Sequence, residues 1–260
     1  MSMTLHDMSN IATLTRNYAS STNSSSASGA SATPDSVSQA LDSANKRISA
    51  QISQTSVQLS SYGQIKSGFA SLQNTGQALT TLAKNASVSD VSKATQSFVD
   101  AYNSTNSAIS TAVKGNDKSA GTLAGNALAN RSGSDLHRIV VSNSSSADLK
   151  NIGISVNQNG SLTVDTKALE KAVQANPDAV KNTLAKLGQQ ANTTATNELS
   201  SSGAVGSAVN SLNQRAKSLA TQQTQEQSLA ASAQAAIQQS ANQTSGFSSG
   251  IADYMKIFSL

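Results

Sequence analysis

Two stretches, one near each end of the chain, place their apolar side chains at steps of three and four for more than a dozen turns. The first runs through Val37, Leu41, Ala44, Ile48, Ile52, Thr55, Leu59, Tyr62, Ile65, Phe69, Leu72, Gly76, Leu79 and Leu82. The second runs through Val205, Val209, Leu212, Ala216, Leu219, Gln223, Glu226, Ala230, Ala233, Ile237, Ser240, Thr244, Phe247, Ile251, Tyr254 and Phe258. This spacing is the stripe of an amphipathic helix that buries one narrow seam. About 48 residues at 1.5 Å each make the first helix a rod of roughly 70 Å. A strip one side chain wide cannot hide itself, so each rod needs another helix to cover it. The similar lengths and low charge of the two rods predict that they pack antiparallel. The second seam is polar in its middle, where Gln223, Glu226, Ser240 and Thr244 reduce stability while restricting register and choice of partner.

Composition agrees with thin helical packing rather than a wide core. Only 3% of residues are aromatic, with four Phe, four Tyr and no Trp, and only 12% are charged. Ser, Thr, Asn and Gln occupy the surface that charges normally take. The segment Ser20–Ser31 contains only Ser, Ala, Asn, Thr and Gly, a composition that predicts disorder. Residues 1–34 therefore read as a leader or a simple tail. Order begins at Pro34 and Asp35, a pre-proline break followed by a capping carboxylate.

Between the rods the pattern changes. Phe98, Tyr102, Thr105, Ile109 and Val113 predict a shorter helix that stops at Gly115, Asn116 and Asp117. Leu123, Leu128, Leu136, Ile139 and Val140 predict one or two further helical pieces separated by Gly133. Ile152, Ile154 and Val156 alternate, Asn159 and Gly160 supply a positive-φ turn, and Leu162 and Val164 alternate again, which is a β-hairpin. Asp165 caps a helix through Leu169 and Val173, and Asn176 with Pro177 opens another through Val180, Leu184 and Leu187. The expected fold is mainly α: a long antiparallel coiled coil from the two chain ends plus a small α+β domain with one hairpin. The expected divisions are residues 35–84 for the first coiled-coil helix, 85–190 for the compact region with its hairpin at 152–164, and 191–260 for the second coiled-coil helix.

Several kinds of chemistry are absent from this pattern. The net charge is +4, but apart from Lys46 and Arg47 the cations are scattered singly, so no basic stripe exists to bind nucleic acid. No run is long and apolar enough for a membrane span. With no Cys and only His6 and His137, no metal or cofactor site is expected. Gly246–Gly250 matches a nucleophile elbow in letters only, since Ser248 continues a helical pattern with no strand before it. Ser43–Lys46 lacks the companion motifs of a serine hydrolase. Ser155, Asn157 and Asn159 have calcium-loop spacing but none of its carboxylates. Asp135 beside His137 reads as a solvated helix pair. No enzymatic activity is expected.

Several longer segments, taken in order, resemble a known family. Ala50-Gln51-Ile52-Ser53 and Ser61-Tyr62-Gly63-Gln64-Ile65-Lys66-Ser67 are similar to the N-terminal coiled-coil segment of flagellar hook-associated protein 2, the filament cap. Gln96-Ser97-Phe98-Val99-Asp100-Ala101-Tyr102-Asn103, Gly121-Thr122-Leu123-Ala124-Gly125, Leu149–Ser155, Asn159–Asp165 and Asn176–Val180 resemble its C-terminal pattern. Relative to that family the chain is a reduced form. Leu82 is followed within about 15 residues by Phe98, where the family inserts the outer plate domains, an interval counted on the helical spacing.

The resemblance implies a non-enzymatic, cap-like structural subunit of the bacterial flagellum, exported by the flagellar type III route to the cell exterior. It implies a homo-oligomer, flagellin or hook-junction proteins as partners, and an export chaperone. The alternative is a regulatory or chaperone-like module that binds axial proteins without forming a cap. The candidate coiled-coil and oligomer interface is Leu41, Ile48, Ile52, Leu59, Tyr62, Phe69, Leu72, Leu79, Val209, Leu212, Leu219 and Ile237. Phe247, Ile251, Tyr254 and Phe258 gather large apolar side chains at one end, either as a partner-docking face or as packing for the chain's own first helix.

Overall fold

In a computed structural model, residues 34–82, 86–116, 119–141 and 145–257 are described. The leader expected over residues 1–34 lies outside them, apart from Pro34, and so does Phe258. The side chains of Asp35, Phe247, Ile251 and Tyr254 also fall outside the described set.

The elements in chain order are α1 (Pro34–Thr80), α2 (Val88–Lys114), α3 (Ala127–Val141), α4 (Ser145–Asn151), β1 (Ile154–Val156), β2 (Leu162–Val164), α5 (Thr166–Ala175), α6 (Pro177–Leu199) and α7 (Ala204–Ile257). The fold is mainly α with one antiparallel hairpin, as the periodicity predicts.

Local chemistry sets most of the boundaries. Ser87 caps α2 in a reciprocal box, accepting from the Asp90 backbone N–H at 3.2 Å while the Asp90 carboxylate accepts from the Ser87 N–H. The Ser87 hydroxyl also donates to that carboxylate at 2.7 Å, and this bond, with the one from the Ser87 N–H, holds the Asp90 carboxyl below its usual range. Gly115 ends α2 at φ 79°. Asp165 and Asn176 cap α5 and α6 through the backbone N–H groups of Ala168 and Ala179, with Pro177 opening α6.

The hairpin pairs Ile154 with Val164 and Val156 with Leu162, and Gly160 takes the expected positive φ of 80°. Pairing starts at Ile154, and Ile152 sits in the turn after α4. Asn157 and Asn159 spend their side chains on Ser161, at 2.9 Å to its hydroxyl and 3.1 Å from its backbone N–H, so the loop satisfies its own polar groups. Asn103 of α2 clamps Leu162 from outside, donating to its carbonyl at 2.9 Å and accepting from its N–H at 2.7 Å. This amide stands in for a missing strand at an otherwise open edge.

Two expectations are revised. The pieces predicted on either side of Gly133 form one continuous helix, α3. Gly133 lies against α2, where an added Cβ would come within 3.3 Å of the Ile109 side chain, so its small size serves packing rather than a break. The helix opened at Pro177 continues past Leu187 to Leu199 along a buried stripe of Leu184, Leu187, Ala191 and Ala195.

The chain divides into two compact units. The larger, Thr55–Arg215, has one continuous core. The second part of α1 contributes Tyr62, Ile65, Phe69, Leu72 and Leu79 to it, α2 contributes Phe98 and Tyr102, α3 contributes Leu136 and Ile139, and α6 contributes Leu184 and Leu187. Each such side chain stabilises the fold by roughly 1.5–3 kcal/mol. α1 meets α6 at a pair of glycines. A Cβ on Gly188 would stand 2.3 Å from the Gly76 carbonyl oxygen, so the two backbones approach to a distance that no other residue permits. The helical weakness of Gly76 is offset by this contact. The smaller unit comprises the chain up to Gln54 and from Ala216 onward. Its described elements are the first part of α1 and the later part of α7, and its buried residues are Ala44, Ile48, Leu219, Glu226 and Ala233.

Candidate functional site

The residues predicted to form a helical interface divide between the two units. In the larger, Tyr62, Phe69, Leu72 and Leu79 are buried in the core, Leu59 is half-buried, and Val209 and Leu212 pack on the margin of the core. In the smaller, Ile48 and Leu219 are buried, while Leu41, Ile52 and Ile237 are half-buried. Apolar surface therefore remains accessible along both long helices at Leu41, Ile52, Leu59 and Ile237.

Within the larger unit the polar groups of the core are matched. The Tyr62 hydroxyl donates to Asn126 Oδ1 at 2.7 Å, and the same oxygen accepts from the backbone N–H groups of Leu128 and Ala129 at the start of α3. Asn126 thus joins α1 to α3 through one acceptor. Burial raises the Tyr62 phenol to about 12, against a smaller opposing effect from the Ala129 backbone. Tyr102 is raised to about 12 by burial alone.

A buried carboxylate that the sequence reading missed closes the end of α6. Glu198 is 3% exposed and accepts from the Ser132 hydroxyl of α3 at 2.6 Å. The Val205 backbone N–H at the start of α7 and the Asp135 carboxyl of α3 also lie within its hydrogen-bonding reach. Burial is the main cause that raises the Glu198 pKa; the Ser132 bond opposes it and Asp135 reinforces it. Asp135 is itself flanked by Arg131 at 3.6 Å and Arg138 at 3.2 Å. Its partners are these arginines and Glu198, while His137, its sequence neighbour, faces solvent. A cleft of about 350 Å³ opens over the group, lined by Arg131, Asp135, Arg138, Glu198, Ser200 and Gly203. One signal pointed to Glu198: it continues the stripe of Leu184, Leu187, Ala191 and Ala195 at the same spacing.

The smaller unit is organised differently. Glu226, at 3% exposure, has no hydrogen-bond partner on either carboxylate oxygen, and Gln222 Oε1 is also buried and unpartnered. Burial raises the Glu226 pKa, and the Arg47 guanidinium of α1 opposes that rise.

No group of three or more potential metal ligands occurs among the described residues. Among those residues, too, no helix is long and apolar enough to cross a membrane. The long helices, the matched core and the clefts describe a packing scaffold. Residues 69–247 match the flagellar hook-associated protein 2 C-terminus family, and the chain belongs to that family of structural flagellar proteins. The match takes in the second part of α1, the whole α+β region and α7 as far as Phe247; it begins inside the stretch through Leu82 that the sequence reading likened to the N-terminal coiled-coil segment. No individual curated protein matches the chain. The family is exported, assembles with components of the flagellar filament and sits at the filament tip.

Proposed function

We propose that the chain is a cap-like structural subunit of the bacterial flagellum, acting in filament assembly through its long helices, which pack with copies of itself or with axial proteins. The observation that carries this reading is the family match across residues 69–247. The accessible apolar positions on the same helices support it, because Leu41, Ile52, Leu59 and Ile237 keep exposed surface after the chain has folded and gain stability when a further helix covers them.

The interface residues then have two duties. Tyr62, Phe69, Leu72 and Leu79 pack inside the larger unit and Ile48 and Leu219 inside the smaller one, and the half-buried positions make the contacts between subunits. Phe247, Ile251 and Tyr254 lie on α7, and together with Phe258 they form the proposed docking end. On this reading the subunit leaves the cell by the flagellar export route, with residues 2–33 as its leader.

Light scattering tests the assembly. Replacing Leu41, Ile52 and Leu59 together with Asp is expected to reduce the wild-type mass to that of a monomer, and an unchanged mass overturns self-association. Labelling of intact motile cells tests the location, with signal expected on the filament. Pull-down from the same cells separates the two functional classes. Recovery of filament or hook-junction subunits supports assembly, and recovery of a cytoplasmic chaperone alone supports a regulatory module.

A further inference from the structure

Three buried oxygens in the smaller unit are able to accept hydrogen bonds and receive none: Gln222 Oε1 and both carboxylate oxygens of Glu226. They belong to residues four apart on α7, which places them one above the other on the same helical face. The nearby positions on that face, Gln223, Leu229 and Ala230, carry no charge. Across from them, α1 presents Arg47 as the charged group that acts on Glu226, and its side chain lies exposed rather than in the seam. The rest of the interior, Ala44, Ile48, Leu219 and Ala233, is apolar. Among the described residues no donor reaches any of these three oxygens.

Leaving an ionised carboxylate in such a place is the most expensive option, because a covered charge without a partner loses its hydration and regains nothing. A neutral carboxyl has one O–H to give, and the acceptor one turn away is Gln222 Oε1. A single proton therefore removes the charge and satisfies two of the orphaned groups together.

We propose that Glu226 is a proton-operated latch of the smaller unit: protonated, it donates to Gln222 and lets α1 and α7 close over the seam; ionised, it loosens them. Burial raises its pKa in the folded state, which fixes the sign. The latch is fully engaged below the ordinary glutamate pKa of about 4.3 and is lost as pH rises through the higher folded value. Arg47 acts in the opposite sense and narrows the window.

Amide hydrogen exchange on the full-length protein, corrected for the intrinsic pH dependence of exchange, tests this directly. Protection of residues 42–54 and 216–233 is expected to fall by about tenfold per pH unit across the window between those two pKa values and then to level off. In Glu226→Gln, which is neutral and keeps a donor, protection should stay high and flat across the same range. In Gln222→Leu, which removes the acceptor, the acid-side gain should shrink. The amides of β1, β2 and α2 serve as the internal control for folding of the larger unit. Protection of the smaller unit that is flat with pH in the wild type, or that rises with pH, overturns the latch. So does a profile in Glu226→Gln identical to that of the wild type. Should Glu226→Gln leave the smaller unit unprotected at every pH, a neutral side chain does not close the seam and the latch is likewise rejected.

Discussion

Glu198 and Glu226 are both 3% exposed, both lie on the apolar face of a long helix, and both have pKa values raised chiefly by burial. Their surroundings differ entirely. Glu198 sits where three elements meet and is held by Ser132, Asp135 and the first turn of α7. Glu226 sits in a seam of the smaller unit and has no partner. A converging architecture can enclose a carboxylate within hydrogen-bond donors, because donors arrive from several directions. A seam between helix segments offers mainly side chains, and here none of them donates to the carboxylate. The larger unit is therefore a finished structure, and the smaller one is conditional on what it is given.

The comparison can be broken most forcefully in the larger core. Phe69→Ala removes a fully buried ring and is expected to cost about 3–5 kcal/mol by chemical denaturation. A loss below about 1 kcal/mol would show that this core is not close-packed.

Next comes Glu198→Ala, which strands the Ser132 hydroxyl and is expected to cost about 1–3 kcal/mol. Glu198→Gln, which keeps a donor toward Asp135, should lose less. If both variants are neutral, Glu198 is not the junction between α3, α6 and α7.

The pH dependence of the larger unit follows from the same residue. Because burial raises the folded pKa of Glu198, its contribution is greatest below the ordinary carboxyl pKa and declines as pH rises through the folded value. Denaturation midpoints of the wild type should show this decline as pH rises above the ordinary carboxyl pKa, and Glu198→Gln should reduce it. An identical slope in the two proteins would assign the effect elsewhere.

Glu226→Leu carries the opposite expectation. Removing an unpartnered charge should stabilise the smaller unit at neutral pH by about 1 kcal/mol, read as increased protection of residues 216–233. Loss of protection at neutral pH would mean that the carboxylate has a stabilising role there.

The smallest effect belongs to Tyr62→Phe, at about 0.5–1.5 kcal/mol. Asn126 Oδ1 still accepts from two backbone N–H groups after the hydroxyl is gone, which places the expected loss at the lower end. A loss above about 2 kcal/mol would indicate that the hydroxyl holds more than this one bond.

Much of this organisation was written locally. Pro34, Gly115, Asp165, Asn176 and the alternation around Asn159 and Gly160 mark element ends through local conformation and capping, which need no distant partner. Glu226 was legible as a polar residue in a seam for the same reason, since its position follows from helical period alone. Glu198 was not. Its significance depends on Ser132 and Asp135, more than sixty residues earlier, and no local pattern announces a hydrogen bond across that separation. Gly133 was read as a break because a glycine's effect on a helix has one local meaning and another, opposite one when a neighbouring helix needs the space.

By itself, then, the amino-acid order determined, though not to every helix end, where the long helices and the hairpin lie and which face of each rod is apolar, because these depend on dihedral preferences and on periods of 3.6 and 2 residues. Only the tertiary structure decided that one half of α1 enters a broad core while the other faces a sparse seam, and that two buried glutamates of the same chemistry live in opposite circumstances. The reason is geometric: a carboxylate's free energy is set by the donors that converge on it in space, and convergence is a property of packing rather than of sequence.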